Sequence, residues 1–185
     1  MKRHLPASNF LCVLKTYRLL YTFQKELFNL NAVSSHMEAY PNLGYKLETD
    51  KRTVTETDIV NYAGLSGDFH PAHTDATYAA KSRFNRIMAH GLLTLSLSQG
   101  LLTRTEFRKI IQALLGVNNV KFINPVFPGD TIGTTFEVTG LRQSKTKPDM
   151  WILSLHAIVR KDEEAVMEYD TSYAVSPPPR KNAGS

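Results

Sequence analysis

An aspartate and a histidine five positions apart, Asp68 and His73, stand in the stretch Ser66-Gly67-Asp68-Phe69-His70-Pro71-Ala72-His73-Thr74-Asp75. Its Gly, Pro and Asp content reads as a loop, where two groups need not share a helix face to converge on one point. A carboxylate and an imidazole can hold one water between them, one group taking a proton while the other gives one. Adding water to a polarised double bond requires both roles, and also a donor for the oxygen on which charge develops. Gly91 opens a long apolar run and offers a backbone N–H at a helix start, where the absent side chain allows close approach and the dipole favours negative charge. Each residue also has a plainer reading. Asp68 alone caps turns, His73 alone is a surface or core histidine, and Gly91 alone packs a helix. His70, His73 and His90 together suggest a metal site, but their spacing is not that of ligands on a regular helix, so no metal or other cofactor is expected.

The elements that must position these groups are legible on both sides of the loop. Tyr45 to Val54 reads as a strand, and Thr55-Glu56-Thr57-Asp58 as a capping box opening a short helix that ends near Gly64. Asp75 can cap a second short helix running to Ala80. The apolar run from Leu92 to Leu102 predicts the most buried helix, with a possible extension to Leu115. From Val117 the period changes to two. Four strands follow: Asn118 to Phe127, Thr131 to Gln143, a third that turns Trp151, Leu153, Leu155, Ala157 and Val159 inward, and a fourth that does so with Met167, Tyr169, Tyr173 and Val175. A strand and helices followed by a run of antiparallel strands indicate an α+β fold with one sheet face covered by the long helix.

The 185 residues fit one ordinary domain, and the lone Cys12 gives neither an internal disulfide nor a Cys-based zinc site, as in a reducing compartment. The formal charge of +5 is uneven: residues 1–37 contribute +4 and Arg180 with Lys181 +2, which leaves −1 for the rest. A near-neutral body without an aromatic and basic stripe excludes nucleic acid as the expected partner. Lys15 and Arg18 interrupt the apolar stretch Phe10 to Phe23, so no membrane span is expected. The expected organisation is an extension at 1–37 outside the fold, a domain at 38–176 and a disordered tail at 177–185. Three readings of the extension stay open: a mitochondrial transit peptide, because acids are absent before Glu26; vector-derived or upstream translated sequence, because Ser34-Ser35-His36-Met37 looks like a cloning junction before a start; or a docking helix. The first implies a mitochondrial location, and otherwise the cytoplasm is expected.

The motif Ser66-Gly67-Asp68-x-x-Pro71-x-His73-x-Asp75, then Ala89-His90-Gly91-Leu92, then Phe122-x-x-Pro125-Val126-x-x-Gly129-Asp130, resembles the MaoC-like dehydratases and R-specific enoyl-CoA hydratases over about residues 45–176. That resemblance implies a hotdog fold, an antiparallel sheet wrapped around a long central helix, in a homodimer with active sites near the interface. It implies hydration of trans-2-enoyl thioesters of coenzyme A or of a carrier protein to (3R)-hydroxyacyl thioesters, a hydro-lyase reaction. Asp68 and His73 would be the catalytic pair and the Gly91 N–H would receive the thioester carbonyl. His70, His90, Ser96 and Gln99 are the expected substrate contacts. Two positions depart from the family pattern: His70 replaces the usual asparagine before Pro71, and Gln99 stands where related hydratases carry a helix serine, with Ser96 and Ser98 nearby. A hotdog thioesterase and a non-catalytic acyl-CoA-binding subunit are the alternatives.

Overall fold

A computed structural model describes residues 41–178. The expected extension at 1–37 and the tail beyond residue 178 lie outside the described residues. Period-two patterning makes the body of the structure: β3 (Ile111–Phe122), β4 (Thr131–Gln143), β5 (Trp151–Lys161) and β6 (Glu164–Val175). On β4 the side chains of Ile132, Thr134, Phe136 and Val138 are buried, as their alternation requires. Leu153, Leu155, Ala157 and Val159 of β5 and Met167, Tyr169, Tyr173 and Val175 of β6 join them, whereas Trp151 at the start of β5 is only partly covered. With β1 (Lys46–Glu48) at one edge, the strands run antiparallel in the order β1-β4-β5-β6-β3. Register shifts in β3, β4 and β5 bend the sheet.

The strand expected over residues 45–54 is two short pieces, β1 (Lys46–Glu48) and β2 (Arg52–Thr53), both paired to β4. Thr55 caps α1 (Glu56–Ser66) through the expected capping box with Asp58. The helix passes Gly64 and stops at Gly67, whose φ of 76° is the left-handed turn that only glycine adopts at little cost. Two short helices follow, α2 (Pro71–Thr74) and α3 (Ala76–Ala80), with Asp75 ending the first and capping the second through the N–H groups of Thr77 and Tyr78.

The long helix α4 (Gly91–Leu102) buries Leu93, Leu97, Leu101 and Leu102 against the sheet. Its possible extension to Leu115 is not realised. After a 3₁₀ turn at Glu106–Lys109 the chain becomes β3, seven residues earlier than the strand expected from Asn118. Residues 111–117 are mostly apolar, Gln112 and Gly116 apart, in an order compatible with either period, and pairing with β6 from Ile111 opposite Val175 onward decides for strand. A polar contact fixes the seat of the helix: Ser98 Oγ lies 2.9 Å from Thr134 Oγ1 and 2.7 Å from Tyr169 Oη, all buried. An antiparallel sheet curled around one central helix is the hotdog arrangement. Among the described residues no helix is long and apolar enough to cross a membrane.

Candidate active site

Gly67 turns the chain out of α1, and Asp68 follows on an exposed loop. The loop is tied from within: the Asp68 N–H donates to Ser66 Oγ at 3.2 Å, and Asp68 Oδ1 accepts the His70 N–H at 3.2 Å. His73 sits at the end of α2, half-buried, with Nδ1 2.7 Å from the carbonyl oxygen of Met88. A carbonyl only accepts, so Nδ1 carries the proton and Nε2 keeps a free lone pair. Burial holds the His73 pKa below its ordinary 6.5, and the neighbouring His90 and His70 reinforce that direction. The Met88 carbonyl and the Asp68 carboxylate oppose it without reversing it. The imidazole is therefore neutral near pH 7 and able to accept a proton.

His90, the N-cap residue of α4, is almost wholly buried and stacks on His73 with ring centroids 3.8 Å apart. Its Nε2 lies 2.9 Å from the carbonyl oxygen of Asp68, so that nitrogen donates and Nδ1 is left a buried acceptor with no partner among the described residues. Tyr62 of α1 supports the ring from another side, at 5.0 Å. One side chain thus braces both members of the pair, the loop of Asp68 by a hydrogen bond and the ring of His73 by stacking.

One polar atom each from Asp68, His73 and His90 lies within 4.8 Å of the others. Two hydrogen bonds of about 2.8 Å meeting at one water span such a gap. A metal ion fits less well. Rings stacked at 3.8 Å with planes 30° apart send their in-plane lone pairs out nearly side by side. They do not converge on one ion about 2.0–2.1 Å from each nitrogen.

A cavity of about 580 Å³ opens over the pair, lined by Asp68, His73, His90 and Gly91 with apolar walls that include Met88, Val166 and Met167. Gly91 is the first residue of α4, so its N–H has no acceptor within the helix. The Phe122 ring packs so closely that a Cβ at Gly91 would come within 2.7 Å of it, so a side chain there would have to displace the exposed ring. The structure therefore brings Asp68, His73, His90 and Gly91 together. His70 is beside them, but its Nδ1 accepts the Ala72 N–H as the cap of α2, and it does not line the cavity. Ser96 is exposed and bonded back to the Leu92 carbonyl, and Gln99 packs against the Tyr173 hydroxyl; neither lines the cavity. Sequence reasoning missed Tyr62, Phe122 and the Met88 carbonyl. Phe122 stood in the motif, whereas a backbone carbonyl leaves no mark on a sequence.

A family model described as "MaoC like domain" matches residues 39–157. The chain is 47% identical over 89 residues to Protein MaoC of Klebsiella aerogenes, a match spanning 48% of this chain and 26% of that longer protein. It is 38% identical over 103 residues to the (R)-specific enoyl-CoA hydratase of Aeromonas caviae, spanning 56% of this chain and 75% of the relative. Among solved structures, the (R)-hydratase from A. caviae involved in PHA biosynthesis superposes with a TM-score of 0.61 at 28% identity, over 77% of this chain and all of the other.

Proposed function

The chain belongs to the MaoC-like domain family, and from that premise we propose that it is a hydro-lyase interconverting trans-2-enoyl thioesters and (3R)-hydroxyacyl thioesters. The observation that carries the reading is the gap of at most 4.8 Å between Asp68 and His73, beside the first N–H of α4 and inside one cavity. A water held between the carboxylate and the neutral imidazole gives up a proton to one of them as its oxygen adds to C3. That proton returns at C2, so the elements of water are added and both groups are restored. Charge that develops on the thioester oxygen in between is met by the Gly91 N–H and the positive end of α4. Proton and oxygen arrive on one side of the double bond, and the (3R) product follows when the substrate presents to the water the face used by the (R)-specific relatives.

The experiment is incubation with crotonyl-CoA, following double-bond absorbance and free thiol together. Loss of absorbance without thiol, giving only (3R)-hydroxybutyryl-CoA, is expected. Thiol release would make the protein a thioesterase, and (3S) product would refute the assigned geometry.

A homodimer is part of this proposal. Among the described residues β3 is an edge strand with one side unpaired, and it exposes Leu114 and Leu115. Phe122 and Ile123 at its end are also exposed and line the cavity. A second copy paired along β3 would cover that edge and wall the site. Light scattering at micromolar concentration should give twice the chain mass, and a fully active monomer would remove the claim.

A further inference from the structure

The turn between α3 and α4 carries three cations, Lys81, Arg83 and Arg86, within six residues. Two of them lie over aromatic rings. The guanidinium carbon of Arg83 is 4.5 Å from the centroid of Phe84, and that of Arg86 is 3.7 Å from the centroid of Phe127. The two rings meet edge to face at 6.4 Å, so the four side chains form one continuous array. Lys161 also approaches Phe127, at 5.8 Å, but Asp130 and Glu164 neutralise it at 3.3 and 3.6 Å. Arg83 and Arg86 have no carboxylate partner among the described residues. Arg83 and Phe84 are part of the wall of the cavity that holds Asp68 and His73.

A guanidinium held over a ring is attracted to its face and has given up part of its rotamer freedom in advance. Its N–H donors remain for an external acceptor, and their planar fork matches two phosphate oxygens. Exposed arginines also settle on phenylalanine simply to cover apolar surface. The place of the array at the cavity wall and its uncompensated charge favour a ligand instead.

We propose that Arg83 and Arg86 anchor the phosphates of a coenzyme A nucleotide, fixing the far end of the thioester whose acyl end enters the cavity; this rests on the thioester reading above. Two forks suit the diphosphate and 3′-phosphate of coenzyme A better than the single phosphodiester of a carrier-bound arm.

The test compares the wild-type chain with Arg83→Gln/Arg86→Gln, its folding checked by melting temperature, on crotonyl-CoA, carrier-bound crotonyl thioester and phosphate-free crotonyl-pantetheine. The ratio of kcat/KM for the CoA thioester over the pantetheine thioester should fall about tenfold or more, through KM, as charged hydrogen bonds are lost. Added salt should weaken the wild type toward the variant. An unchanged ratio would overturn the anchor and leave the arginines as ring covers. A larger penalty on the carrier-bound thioester than on CoA would overturn the assignment to the nucleotide. Should the double variant fail to fold, Arg83→Gln alone gives the same readout. Calorimetric titration with free coenzyme A needs no turnover: binding at least about tenfold weaker in the variant is expected, and equal binding would overturn the proposal. A wild type that binds coenzyme A through these arginines yet hydrates nothing would sink the hydratase reading alone.

Discussion

Along β4 and β5 buried and partly covered side chains alternate, β6 is buried on both faces near its ends, and the polar atoms that enter that core find each other, as Ser98, Thr134 and Tyr169 do. Between Gly67 and Asp75, by contrast, Asp68 and His70 are exposed, and His73 keeps one ring nitrogen unpaired. The same economy of burial governs both regions with opposite results. In the sheet every group is consumed by stability. On the loop Asp68 is held through its backbone and Oδ1 and His73 through Nδ1, and among the described residues Asp68 Oδ2 and His73 Nε2 have no hydrogen-bond partner. His90 belongs to both regimes, being buried like a core residue yet left, among the described residues, with an orphaned nitrogen.

Substitutions should separate the two regions cleanly. Phe136→Ala, at a fully buried ring packed edge to face on Tyr169, should cost about 3–5 kcal/mol of folding stability, read by chemical denaturation. Asp68→Asn and His73→Gln should each leave the melting temperature close to wild type and lower enoyl-CoA hydration at least about a hundredfold. Their combined loss should be less than the product, because a water that has lost either partner has little orientation left to lose. Near-normal turnover in either variant would break the contrast. His90→Phe keeps a ring against His73 but removes the donor to the Asp68 carbonyl. It should lower both kcat and stability, each by about tenfold or its equivalent of ~1.4 kcal/mol. An effect on only one of the two would place His90 wholly in one regime. Thr55→Ala, which breaks the capping box of α1, should cost about 1 kcal/mol of stability and leave kcat unchanged.

The smallest effect sharpens the comparison through pH. The folded His73 pKa lies below 6.5, so between the folded and unfolded values the unfolded chain binds the extra proton. Its contribution to stability is thus complete above pH 6.5 and lost as pH falls through the folded value. The acid limb of kcat/KM should accordingly fall below pH 6.5. In Asp68→Asn the His73 ring, followed by NMR, should titrate lower still, since the carboxylate is one of the groups holding its pKa up. A His73 titration at or above 6.5 would refute the buried, neutral base.

Where a residue's neighbours along the chain decided its state, the amino-acid order was enough. The period-two runs of β4 to β6, the capping box at Thr55 and the Asp75 cap are local, and each appears in the structure as read, apart from Trp151, which is only partly covered. Local too is the motif around Asp68, His73 and Gly91, where a Cβ at Gly91 would meet the Phe122 ring. Tertiary contact decided the rest. Residues 111–117 suit helix or strand, and only the free edge of β6 made them strand. Ser96 and Gln99 lie on the same helix as Gly91, but the rotation of α4, set by Ser98 against Thr134 and Tyr169, turns them away from the cavity. The proton on His73 sits on Nδ1 because a carbonyl fifteen residues away accepts it. Backbone carbonyls, helix rotation and ring stacking depend on where chain segments meet, and residue types alone do not encode the distance between segments far apart in the chain.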